Sequence, residues 1–166
     1  MRILLIIILL RFFVGASYAC TEEDAIKMSF IFRFVEFIDS KWPKTDAQQA
    51  IKLCVFGDFD EETKNTYLGF AGKNVLNKKS DIIPNPKNIT NCNILYFTKY
   101  AKSYKEFLPR DESNILTIGD IPYFNHEGGI IEFYNHRNKI RFRINEAQAI
   151  KSQIQFNAKL LEMGSN

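Results

Sequence analysis

The 166-residue sequence contains only two histidines, three cysteines and one tryptophan. There is no Cys-x-x-Cys pair, and no Cys and His stand at zinc-ligand spacing, which removes the usual nitrogen and sulfur metal sites. Glycine-rich phosphate loops are missing too: neither G-x-G-x-x-G nor G-K-[ST] occurs, although Gly57 follows a strand-like run. No collagen-like, heptad or solenoid-length repeat is present, so fibrous and repeat architectures drop out. Charge of one sign is also scarce. The 22 basic and 19 acidic residues leave a formal net charge of +3, a poor match for nucleic acid. Arg11 breaks the N-terminal apolar run before it reaches the ~18 residues of a membrane-spanning helix.

Apolar side chains make up 46% of the chain and include 15 Phe, which rules out disorder and implies one domain with a sizeable core. A chain of this length buries close to ~70% of its unfolded surface and needs no metal or disulfide merely to fold.

Residues 1–19 have the layout of an export signal. Met1-Arg2 is a short basic start, Ile3 to Leu10 is an apolar run, and Gly15-Ala16-Ser17-Tyr18-Ala19 is a small-residue cleavage segment with Ser17 and Ala19 at −3 and −1. The expected mature domain is 20–166, exported from the cytoplasm. A lipid anchor at Cys20 is the lesser alternative, because lipoprotein signals favour a Leu-like residue where Ser17 stands. Losing Arg2 and Arg11 with the leader brings the body to 20 basic against 19 acidic residues.

Export changes the meaning of the cysteines. Cys54 lies in the apolar run Ile51 to Phe56, and Cys92 closely precedes Ile94 to Phe97. In an oxidising compartment these two are expected to form a disulfide, the alternative being two free core thiols.

The remaining pattern alternates helices and strands. Thr21 is expected to cap a helix whose apolar face carries Phe30, Phe34, Phe37 and Ile38, ending before Trp42-Pro43. Strand 51–56 precedes a helix opened by Asp60-Glu61-Glu62, whose carboxylates suit its positive N-terminus. Short strands are expected near 74–76 and 81–83, then 94–97, then a helix near 101–108, and a strand at 115–118. Gly128-Gly129 introduces a hairpin of 130–134 and 139–144 around the turn 135–138. Asn145 with Gln148 is a capping pattern for a last helix carrying Ile150, Ile154, Ala158 and Leu161. Together these imply a single-domain α/β three-layer sandwich, a mixed sheet flanked by helices.

Catalytic parts do not assemble. His126 and His136 both sit in expected turns, no nucleophile-base pair is visible, and we assign no catalytic residue, metal or cofactor. The strand 139–144 is more informative. Alternation places Ile140, Phe142 and Ile144 on one face and Lys139, Arg141 and Arg143 on the other. Arg141 and Arg143, with Asn145 at the start of the next helix, form a candidate partner-binding strip, since Arg favours carboxylates and interfaces.

The order of landmarks resembles the YfiR family of exported regulators. Phe37 is followed by Trp42-Pro43, and a strand ends in Cys54-Val55-Phe56-Gly57-Asp58. Cys92 precedes Leu95-Tyr96-Phe97, and Leu116 to Asp120 reads Leu-Thr-Ile-Gly-Asp. Gly128 to Ile131, Arg141 to Asn145 and a C-terminal Lys159-Leu160-Leu161 complete the set. The resemblance implies a periplasmic protein that represses a membrane diguanylate cyclase by binding its periplasmic part, and so controls cyclic di-GMP and biofilm. Family members can carry a second cysteine pair nearer the C-terminus; here none follows Cys92.

Two function classes therefore stand. One is a protein-binding repressor, with a homodimer left open. The other is a small-ligand sensor or solute-binding module working with a different membrane sensor protein, its ligand residues unassigned. Its crevice would lie at the carboxyl ends of the strands, near Gly57 and Asp120.

Overall fold

The computed structural model describes residues 18–39, 42–43, 49–109 and 111–164, with side chains from Glu22 onward. Except for its last two positions, the expected leader lies outside the described residues, as does the side chain of Cys20.

In chain order the elements are α1 (Tyr18–Val35), β1 (Ile51–Phe56), α2 (Glu61–Leu68), β2 (Asn74–Val75), β3 (Lys78–Pro84) and β4 (Ile94–Phe97). After a 3-10 turn at Tyr104–Phe107 come β5 (Leu116–Gly119), β6 (Ile131–His136), β7 (Lys139–Ile144), α3 (Glu146–Lys151) and α4 (Ala158–Gly164). The strands form one mixed sheet in the order β2-β3-β1-β4-β5-β6-β7. β3, β1, β4, β5 and β6 run parallel, while β2 and β7 pair antiparallel at the two edges. The expected mixed-sheet α/β fold is the observed one.

Period-two alternation sorts the strand residues between two cores. Ile51, Leu53, Val55, Ile94, Tyr96, Leu116, Ile118, Ile131, Phe133 and Phe142 face the helices, against Met28, Ile31, Phe34 and Val35 of α1 and Leu160 of α4. Phe34 packs on Phe142 with ring centroids 4.7 Å apart, a contact that adds ~0.5–1.5 kcal/mol beyond its buried area. On the other face Cys54, Phe56, Leu95 and Phe97 meet Cys92 and Phe124. Cys54 and Cys92 are disulfide-bonded, with Cα atoms 5.9 Å apart.

Four local expectations are corrected. Thr21 lies inside α1, so it does not cap that helix. The helix expected near 101–108 is only the four-residue 3-10 turn, because Ser103 is left-handed (φ 55°) at its start and Leu108 turns extended before Pro109. The single last helix is two. Gln153 is left-handed, and the chain then pairs Phe156 with Ile38, while Asp39 and Asn157 donate to Gln155 and Phe37. These bonds to the end of α1 replace the helical ones. The hairpin turn is tighter than expected: Arg137 and Asn138 both have positive φ, the two-residue type I′ geometry that matches strand twist.

Candidate functional site

Read without its edge strands, the parallel order 3-1-4-5-6 reverses direction between β1 and β4. In doubly wound sheets a crevice opens outside the carboxyl ends of the strands at such a point. The chain around it is shaped by glycines. Gly57 ends β1 where any side chain would run into Thr98 at the end of β4. Asn85 locks this corner, donating to the Gly57 carbonyl (2.9 Å) and accepting from its N–H (3.0 Å). One strand further on, the Phe124 ring lies against both Gly119 and Gly129, leaving neither room for a Cβ. The Gly128-Gly129 pair thus lets an aromatic wedge close the turn after β5.

Lys27 is the central charge here. It projects from α1 with a side chain only 4% exposed, and its Nζ donates to Asp120 Oδ2 (2.6 Å) and to Glu23. Burial works against its charge, but the two hydrogen-bonded carboxylates outweigh that, so its pKa stands above the usual 10.5. The Lys27 hydrogen bond draws Glu23 below its usual value. Asp24, which accepts from the Tyr67 hydroxyl (2.9 Å), and Asp120 are pushed up by burial, which exceeds the pull of their partners. Tyr96 rises from β4 among these groups, fully buried, and its hydroxyl has no hydrogen-bond partner among the described residues.

Two hollows share this floor. A small cavity of about 200 Å³ is bounded by Asp24, Asp58, Asp60, Asp120, Tyr67 and Lys99. A wider one, about 510 Å³, runs from Asp120 and Lys99 past Tyr123 to Glu132, Tyr134 and Arg143. Asp60 is also the cap of α2, accepting from the Thr63 N–H at 2.8 Å, so the acidic cluster does the helix-end work expected of it. Among the described residues no three His, Cys, Asp or Glu side chains converge to hold a metal ion.

The basic strip is split by the structure. Arg141 is exposed on the edge strand. Arg143 lies over the Tyr134 ring at 4.3 Å, with its Nε 4.0 Å from buried Glu132. Asn145 is held as a cap: its Oδ1 accepts from Gln148 N–H (2.9 Å) and its Nδ2 donates to the Asn125 carbonyl (2.6 Å). Arg141 and Arg143 thus share a face, while Asn145 fixes α3 to the turn below it. His126 and His136 are exposed.

The family profile DUF4154, described as YfiR/HmsC-like, matches residues 24–165. The chain belongs to the YfiR/HmsC-like family. No curated protein matches it. YfiR-like proteins are periplasmic regulators of diguanylate cyclase signalling rather than enzymes. None of the described helices is long and apolar enough to cross a membrane.

In this YfiR-like chain the landmark motifs have identifiable physical jobs. Trp42 is buried and donates from Nε1 to the Asn114 carbonyl at 3.0 Å. The Gly57-Asp58 and Gly119-Asp120 pairs end the parallel strands β1 and β5, on either side of β4, at the crevice. Lys27, Asp24, Tyr96, Lys99 and Glu132 were not singled out from sequence. Lys27 did carry a signal, since positions 27, 31 and 34 lie on one helical face and the other two are Ile and Phe.

Proposed function

We propose that this chain is exported by its first nineteen residues, and that in the periplasm it binds and represses the periplasmic part of a membrane diguanylate cyclase. The family membership supports the class of activity. The observation that supports the surface is the outer edge of the sheet. β7 is the last strand, and its polar face presents Lys139 and Arg141 to solvent, with Arg143 half-exposed beside them. Edge strands guarded by cations resist pairing with copies of themselves. A second β7 laid antiparallel would set like charges across the join, so a homodimer through this edge is disfavoured, and a carboxylate-rich partner is favoured and steered toward it.

The test is in cells that carry such a cyclase. Expressing the exported chain should lower cyclic di-GMP and biofilm, and the chain should co-purify with the cyclase after cross-linking. Unchanged cyclic di-GMP together with no captured cyclase would overturn this reading.

A further inference from the structure

We propose that β7 is a docking edge, where a partner adds an extended segment as an eighth strand, its acidic residues alternating with apolar ones. The direction of the backbone bonds points there. Asn145, just past β7, donates its N–H to the Ile130 carbonyl at 2.8 Å. In an antiparallel pair only alternate residues bond the neighbouring strand. Counting back from Asn145, the residues that bond β6 are Arg143, Arg141 and Lys139, opposite Glu132, Tyr134 and His136. The two-residue turn at Arg137 and Asn138 requires the same phase, because the pair flanking such a turn is a bonded one. Ile140, Phe142 and Ile144 therefore turn their N–H and C=O groups away from β6. β7 is the last strand of the sheet, and among the described residues no backbone bond reaches these groups from outside it.

Charge selects the occupant. One face of β7 carries Lys139, Arg141 and Arg143. Buried Glu132 stands 4.0 Å from Arg143, while Lys139 and Arg141 make no ion pair among the described residues. Carboxylates set opposite these cations across a new strand pair are favoured, and a second cationic strand is not. On the other face Ile140, Phe142 and Ile144 belong to the helix-side core, so the residues between the acidic ones must be apolar. Beside Ile140 a hollow of about 420 Å³ opens toward Phe30 and the 42% exposed Ile26 of α1, leaving room for such a side chain. In strand addition the main-chain bonds supply affinity and the alternate side chains supply selectivity. Only the identity of the partner rests on the cyclase reading above.

The experiment titrates the mature chain with a synthetic peptide alternating Glu and Val, and with the matching Lys and Val peptide, following amide hydrogen exchange by NMR at constant ionic strength. Saturable binding of the Glu peptide is expected. With free peptide at about ten times its Kd, exchange at Ile140 and Phe142 should slow about tenfold, while Arg141, already bonded to β6, changes less. Arg141→Glu should weaken binding about fivefold or more. Ile140→Pro removes an outward N–H but no bond to β6, and it should abolish binding; the alternating exchange pattern of the parent tests the same geometry without relying on that variant's fold. Equal affinity for the two peptides, protection that does not alternate along β7, unchanged binding by a folded Ile140→Pro, or no saturable binding overturns the proposal. Capture of the cyclase in cells is scored separately: its failure alongside intact peptide binding would strike the cyclase reading and leave this edge standing.

Discussion

On one face of the sheet, α1 and α2 lay Met28, Ile31, Phe34 and Tyr67 over the strands. On the other, no α-helix among the described residues covers Cys54, Leu95 and Phe97. A 3-10 turn, the Phe124 wedge and the Cys54–Cys92 bond do so instead. The helical face is broad enough to hold a charged Lys27 within its margin, because two carboxylates come with it. The thin face has no such depth and relies on a covalent tie, the Phe124 ring and the side chains of the 3-10 turn. Its cover also thins beyond buried Glu132, where Tyr134, Arg141 and Arg143 lie on that same face. The contrast explains why exposed polar groups collect at one edge.

The comparison breaks most visibly at the disulfide. The cross-link closes a separation of 38 residues, worth about 4 kcal/mol on the chain-entropy account. Replacing both cysteines by Ser should lower urea-unfolding stability by about that much, and native protein from the periplasm should show no alkylatable thiol at Cys54 or Cys92. On the helical face, Lys27→Met should cost about 3 kcal/mol. That is the lower end for breaking a buried ion pair, because Glu23 keeps part of its hydration (38% exposed). Its pH dependence has a definite sign. A lysine whose pKa is raised on folding contributes fully below its unfolded value near 10.5 and loses that contribution as pH climbs through the higher folded value. Melting curves of parent and variant should thus keep a constant gap through neutral pH and converge in strong alkali.

Smaller effects sharpen the edge of the thin face. Asn145→Ala removes the cap of α3 and the bond to Asn125, and should cost about 1–2 kcal/mol by denaturant titration. Arg141→Glu touches no buried group and should change stability by no more than ~0.5 kcal/mol. Arg143→Glu should not match it. It would set a carboxylate beside buried Glu132 and lose the stack on Tyr134, so its melting temperature should fall further than that of Arg141→Glu.

Much of this architecture was legible because strands declare their period. The alternation of Lys139 to Ile144 assigned both faces of β7 correctly, and Asp60 and Asn145 cap the helices that follow them. The 101–108 segment misled because Tyr104, Phe107 and Leu108 are apolar at helical spacing, yet they pack from a 3-10 turn on the Phe97 side. The last helix misled because Ile150, Ile154 and Ala158 keep the period across a break, and Ile150 is 60% exposed while Ile154 is buried. The ends of the crevice near Gly57 and Asp120 followed from reading both residues as strand ends. Its interior did not, because Lys27 comes from a helix that reads as core, and only tertiary packing brings Asp120 to a lysine 93 residues away.

The most direct measurement is the association rate of this protein with the periplasmic domain of a membrane diguanylate cyclase at low and at physiological salt. Parent, Arg141→Glu and Phe142→Ala are compared, with melting curves run alongside. If the β7 edge is the partner surface, Arg141→Glu should slow capture and flatten its salt dependence while melting like the parent. Phe142→Ala should instead lose ~3–5 kcal/mol of stability. Capture by Arg141→Glu at the parent's rate in low salt would contradict the account and move the partner surface away from this edge.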